Sequence, residues 1–160
     1  MSAARKLLVF GGVSLAVFGM LYGLHYAIFI EHQTLDRMGG SLATAFVHAA
    51  ERNLPEAHTA LQVYAATRYD YVRQVDVHSH WIGLAMLMIA MGVVFDSVGF
   101  GERIRFWIAL ALLLGSIIFP LGVILQTETH AMVASALAVA GSALVIGSLT
   151  AIAVGFVRQN

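Results

Sequence analysis

The chain has 160 residues, 59% of them hydrophobic and only 11% charged, with nine basic residues balancing nine acidic ones. Soluble domains carry about 25% charged residues, so this composition, with a mean hydropathy of +0.82, is that of a membrane protein. Zero net charge offers no electrostatic handle for nucleic acid, and the lack of cysteine excludes disulfides, thiolate zinc sites, iron–sulfur clusters and covalently attached c-type haem.

A bilayer core of about 30 Å needs roughly 20 apolar residues per helix. Leu7–Ile30, Trp81–Phe95, Phe106–Leu125 and Ala131–Val157 supply 24, 15, 20 and 27 residues. The second reaches span length once Val77 to His80 enter the outer boundary. The expected fold is therefore an all-α integral membrane protein, a single domain of four transmembrane helices in an antiparallel bundle. Its spans cover residues 7–30, 77–96, 106–126 and 131–157. The opening Met-Ser-Ala-Ala-Arg-Lys and the apolar run behind it resemble a signal peptide without a small-x-small cleavage site. They read as an uncleaved first span.

The first connection is predicted to be a helical insertion over 39–76, with Gly39-Gly40 as its hinge. Ser41–Asn53 places Leu42, Ala45, Phe46, Ala49 and Ala50 on one helical face. Asn53-Leu54-Pro55-Glu56 then reads as a helix start, with an N-cap, an early proline and an acid in the first turn. No glycine or proline follows before His80. Ala57, Leu61, Tyr64, Ala65 and Val72 make an apolar stripe, interrupted by Arg68. The expectation is an outer helical hairpin, docked on the bundle mouth or on a partner, whose second helix runs straight into the second span. Farther on, Pro120-Leu121-Gly122 should kink the third span. Ala134, Ala138, Gly141, Ser142, Gly147 and Ser148 give the fourth span close-packing positions. Met86, Met88 and Met91 read as packing.

Orientation follows from the basic residues. Arg5 and Lys6 precede the first span, Arg103 and Arg105 lie in the second connection, and Arg158 follows the last span. The third connection, Gln126–His130, has no Lys or Arg. The long first connection holds Arg37, Arg52, Arg68 and Arg73, offset by six acids. The positive-inside rule puts both termini in the cytoplasm. The opposite face then lies outside, in the periplasm if this is a bacterial inner-membrane protein.

That outer face collects His32, His48, His58, His78, His80 and His130, with His25 near the same end of its helix. At about 1.5 Å per residue from the inner ends, His25, His78 and His80 lie roughly 24 to 27 Å up. Glu31, His32, Glu128 and His130 lie higher, at roughly 34 to 40 Å. Imidazole ligates haem iron, copper and zinc, and titrates near neutral pH. Each group also has a structural reading: His25 as a neutral hydrogen bonder within the bundle, His78 and His80 as interfacial polar residues beside Trp81, Glu128 and His130 as a solvated turn. If the His78-Ser79-His80 run is extended, its imidazoles can share one ion. If it is helical, they point roughly 200° apart and cannot. The helical pattern before it favours the second case. His48 and His58 read as solvated.

The run Asp76-Val-His-Ser-His-Trp-Ile-Gly-Leu, opening a span from the outer side, is similar to the His-x-His helix start of subunit-I-like proteins. These are the haem–copper oxidase and nitric oxide reductase group and its smaller relatives. Phe119-Pro-Leu-Gly is in keeping. The resemblance covers about twenty of the 160 residues. The twelve-span architecture and the copper-ligand set are missing, so the chain is not such an oxidase. The resemblance implies that His78 or His80 ligates haem near the outer surface.

Three functional classes follow. One is a haem b electron-transfer protein or subunit, with His25, His78 and His80 as cofactor-binding residues and His25 paired with His80 or His78 across the iron. Another is an outer-face copper or zinc site of His78, His80, Glu128 and His130, with His32 and Glu31 as lesser candidates. The third is an accessory subunit of a larger membrane complex or homo-oligomer. Partners are the lipid bilayer and, for electron transfer, a quinone. No nucleophile–base pair or phosphate loop is visible. Reporter fusions after Arg105 and Asn160 should read cytoplasmic and one near Asn53 external; a cytoplasmic Asn53 would invert this map.

Overall fold

A chain with long apolar runs can satisfy its backbone in lipid only through helices or a closed barrel. In the computed structural model, which describes residues 1–129 and 132–158, every regular element is a helix. The order is α1 (Ala3–Phe29), α2 (Glu31–Ala50), α3 (Leu54–Val94), a 3-10 turn (Phe95–Ser97), α4 (Glu102–Thr129) and α5 (Met132–Val157). Four of them, α1, α3, α4 and α5, are long and apolar enough to cross a membrane. The chain is a four-span helical membrane protein with a helical hairpin between spans 1 and 2.

The chain divides into two compact units, Met1–Leu21 with Val77–Asn160, and Tyr22–Asp76. In the first, glycines let helix backbones touch. A methyl group on Gly12 would lie 2.9 Å from the Ala85 carbonyl oxygen, and one on Gly19 would lie 3.1 Å from Trp81 Cβ. Gly92 meets Val9 in turn. Rising numbers on α1 thus meet falling numbers on α3, and the two helices are antiparallel. On α5 the buried residues are Ala134, Ala138, Gly141, Val145, Ser148, Ile152 and Gly155. Their alternating steps of four and three make a seam like that of a coiled coil. Gly141 of this seam rests on the Phe119 backbone, and Gly122 of α4 rests on Ala138. Ser142 is only half-buried and Gly147 is exposed, because each lies one residue, about 100°, off the seam.

Pro120 is fully buried inside α4, and the helix continues through it. A polar cluster closes the end of the unit that bears the termini. Ser2 Oγ donates to Asp96 at 2.6 Å, and Arg5 pairs with Asp96 at 3.3 Å. The Ala3 amide donates to Glu102 at 3.1 Å, and Arg105 pairs with Glu102 at 2.8 Å. The Gly99 amide reaches the Gly155 carbonyl at 2.9 Å.

In the second unit the chain breaks only at Ile30 and at Glu51–Asn53. The expected hinge at Gly39-Gly40 is absent, because α2 begins at Glu31 and runs through both glycines. Two glycines weaken a helix by about 1 kcal/mol each. A break would cost another nucleation and leave further end groups unpaired. The real stop is a Schellman turn. Arg52 adopts φ 59°, its amide donates to Ala49 at 3.1 Å, and the Asn53 amide donates to His48 at 2.8 Å. The Asn53 carbonyl then accepts from Ala57 at 3.1 Å, opening α3 where the sequence placed it. That helix runs on unbroken through His78 and His80 into the second span.

Space around the glycines sets opposite expectations. Gly141→Ala should destabilise the protein by about 1–3 kcal/mol through overpacking. Gly39→Ala, with open space around it, should stabilise it by up to about 1 kcal/mol through helix propensity. Thermal unfolding in detergent checks both signs.

Candidate functional site

Because α3 is helical across 54–94, His78 and His80 face different neighbours, as the helical reading required. His78 Nδ1 lies 2.9 Å from the Gly19 carbonyl oxygen of α1. A carbonyl can only accept, so Nδ1 carries a proton, and in the neutral ring Nε2 keeps its lone pair. The close approach depends on Gly19, where a side chain would press on Trp81 and Ile82. His78 itself is half-buried. His80 turns instead toward α4, its ring edge-on to Phe119 with centroids 4.8 Å apart. One shared ion between these two side chains is therefore not the arrangement of this helix.

Trp81, one turn beyond His78, is 1% exposed and meets Phe18 edge-on at 4.9 Å. It forms part of the lining of an apolar groove of about 470 Å³ between α1 and α4. Phe10, Ser14 and Phe18 contribute one wall, Leu113 and Ile117 the other.

The second unit holds the remaining described candidates. His25 is exposed and stacks obliquely on Phe29, with centroids 5.2 Å apart. Glu31 is half-buried and accepts from the Tyr71 hydroxyl at 3.3 Å. His32 sits in solvent beside Asp36 at 3.4 Å. His58 is exposed against Gln62, as expected, whereas His48 is half-buried, its Nδ1 3.4 Å from Glu51. The Glu128 side chain and His130 lie outside the described residues. Among the described residues, no three His, Asp or Glu side chains come together as a metal-holding group.

Sequence reasoning overlooked a polar and aromatic set in this unit. Tyr22 donates to Gln74, Tyr71 reaches Glu31, and buried Tyr26 lies 6.5 Å from Tyr71. The available signal was spacing. Tyr22 and Tyr26 are four apart and Tyr71 and Gln74 three apart, so each pair shares one helical face.

The fold and the buried glycine seams define the class, a four-span helical membrane protein carrying an oriented histidine on its second span. Comparison with protein-family models, curated proteins and solved structures returns no match.

The His78 geometry has a direct spectroscopic consequence. In nitrogen NMR of the histidine-labelled protein at a pH where the ring is neutral, His78 should show a protonated Nδ1 and a bare Nε2. A protonated Nε2 with bare Nδ1 would break the bond to Gly19.

Proposed function

We propose that the chain is a haem b-binding electron-transfer protein or subunit of the membrane, with His78 as an axial ligand through Nε2. The observation that carries this reading is the 2.9 Å bond from His78 to the Gly19 carbonyl. Histidines that ligate metals almost always donate their second ring N–H to a carbonyl or carboxylate, which fixes the tautomer and aims the other nitrogen. Here that orientation comes from helix packing at Gly19. The donor set is right for haem, which takes neutral imidazole and, in the b type, needs no cysteine. The His-x-His resemblance points to the same residues.

Bound haem would supply one-electron chemistry. The protein's own contribution is separate: the Gly19 carbonyl orients the imidazole, and buried Trp81 fills the space one turn away. His80, on the same helix but turned toward Phe119, does not share an ion with His78. The distribution of basic residues supports cytoplasmic termini and a periplasmic histidine face, and a membrane quinone is the natural class of redox partner.

The absorption spectrum of the protein purified from haem-replete cells tests this. A Soret band is expected, and His78→Ala should abolish it while helicity and membrane insertion persist. Bound copper or zinc without a Soret band would favour a metal site built on His80 with Glu128 and His130. Absence of haem and metal together would leave an accessory subunit of a larger complex.

A further inference from the structure

Basic residues at the terminus-bearing end of the first unit fall into two kinds. Arg5 is paired with Asp96, and Arg105 with Glu102. Lys6 and Arg103 are exposed and have no acidic partner among the described residues. Their positions are not arbitrary. Lys6, Phe10, Ser14 and Phe18 recur every four residues along one ridge of α1, and the last three line the apolar groove. On α4, Arg103, Phe106, Leu110, Leu113 and Ile117 follow in steps of three and four, and the last two line the same groove. The two helices run parallel. The Ala3 amide bonds to Glu102 at their starts, and Gly11 meets Leu113 farther along. Both unpaired cations therefore sit at the same end of the two ridges that wall the groove.

We infer that this surface is a binding site for an anionic phospholipid. One acyl chain lies in the groove toward Trp81, and the phosphate is held between Lys6 and Arg103. The groove has Ser14 as its one hydroxyl-bearing wall residue and otherwise apolar lining, which suits a hydrocarbon chain and no polar ligand. Charge complementarity selects the headgroup: two exposed cations beside the first turns of two helices, whose dipoles add to the attraction. From Lys6 to Phe18 is roughly 18 Å along α1, so the distal half of the chain comes level with Trp81. The site is independent of His78 and of the haem reading.

The chain has two tryptophans, so Trp107→Phe leaves Trp81 as the sole fluorescent reporter. This protein is placed in phosphatidylcholine vesicles. Small fractions of phosphatidylglycerol or phosphatidylcholine brominated on the distal half of the acyl chain are then added, since bromine quenches tryptophan on contact. Phosphatidylglycerol should associate roughly tenfold more tightly, two basic side chains acting together at low salt. Lys6→Gln and Arg103→Gln should each reduce that preference, and the double variant should erase it while phosphatidylcholine quenching and helicity stay unchanged. Ser14→Phe, which fills the groove, should reduce quenching by both lipids. Equal quenching by the two lipids in the parent protein, or a preference that survives in the double variant, would overturn the assignment. So would the absence of quenching.

Discussion

Touching helix backbones are what the membrane unit rests on. Between spans in a bilayer there is little hydrophobic drive for association, because lipid tails are as apolar as leucine. Close van der Waals packing must supply the attraction. Glycine allows it by removing the side chain that would hold two helices apart. Gly141 against Phe119 and Gly122 against Ala138 lock α4 to α5, while Gly12, Gly19 and Gly92 do the same for α1 and α3. The larger core side chains, Trp81, Leu8, Met88 and Leu112, fill the spaces that these contacts leave.

The histidine site is a by-product of the same packing. Gly19 lets α3 approach closely enough for an imidazole one turn before Trp81 to reach its carbonyl. In a low dielectric a neutral imidazole that donates to a carbonyl avoids the penalty of an unpaired polar group. Its second nitrogen is then aimed by the bundle rather than by a flexible side chain. Two residues later the same helix sends His80 toward Phe119. Histidines two residues apart in one short motif thus meet different neighbours through helical geometry alone.

Charge is partitioned with equal economy. At the end bearing the termini, Arg5, Asp96, Glu102, Arg105 and the first amides of α1 neutralise one another and tie three elements together. Exposed ion pairs of this kind add little stability individually, about 0–1 kcal/mol. Their main effect is to hold the starts of α1 and α4 side by side. The parallel walls of the groove follow from that placement, and so does the position of the two cations that remain.

Much of this was legible in the amino-acid sequence. Length and apolarity determined four spans, since a bilayer admits no other use for such segments in a helical protein. The Asn53-Leu54-Pro55-Glu56 start and the unbroken run behind it determined a helix entering the second span. The alternation of small residues marked the α5 seam, although one-dimensional spacing included Ser142 and Gly147, which helical rotation carries off it. Gly39-Gly40 looked like a hinge because glycine is a weak helix former; cooperativity along α2 decided otherwise. Candidate ligands were readable as residue types and depths. Their orientation was not, because whether His78 meets a carbonyl or its neighbour's ion depends on where α1 crosses α3. The Tyr22, Gln74, Glu31 and Tyr71 contacts were equally hidden, since each joins positions 40 or more residues apart. The sequence by itself determined which segments are helical and apolar, through local periodicity and the bilayer's demand for internal hydrogen bonds. Only the tertiary structure decided which polar atoms face one another, because that is a property of how helices pack.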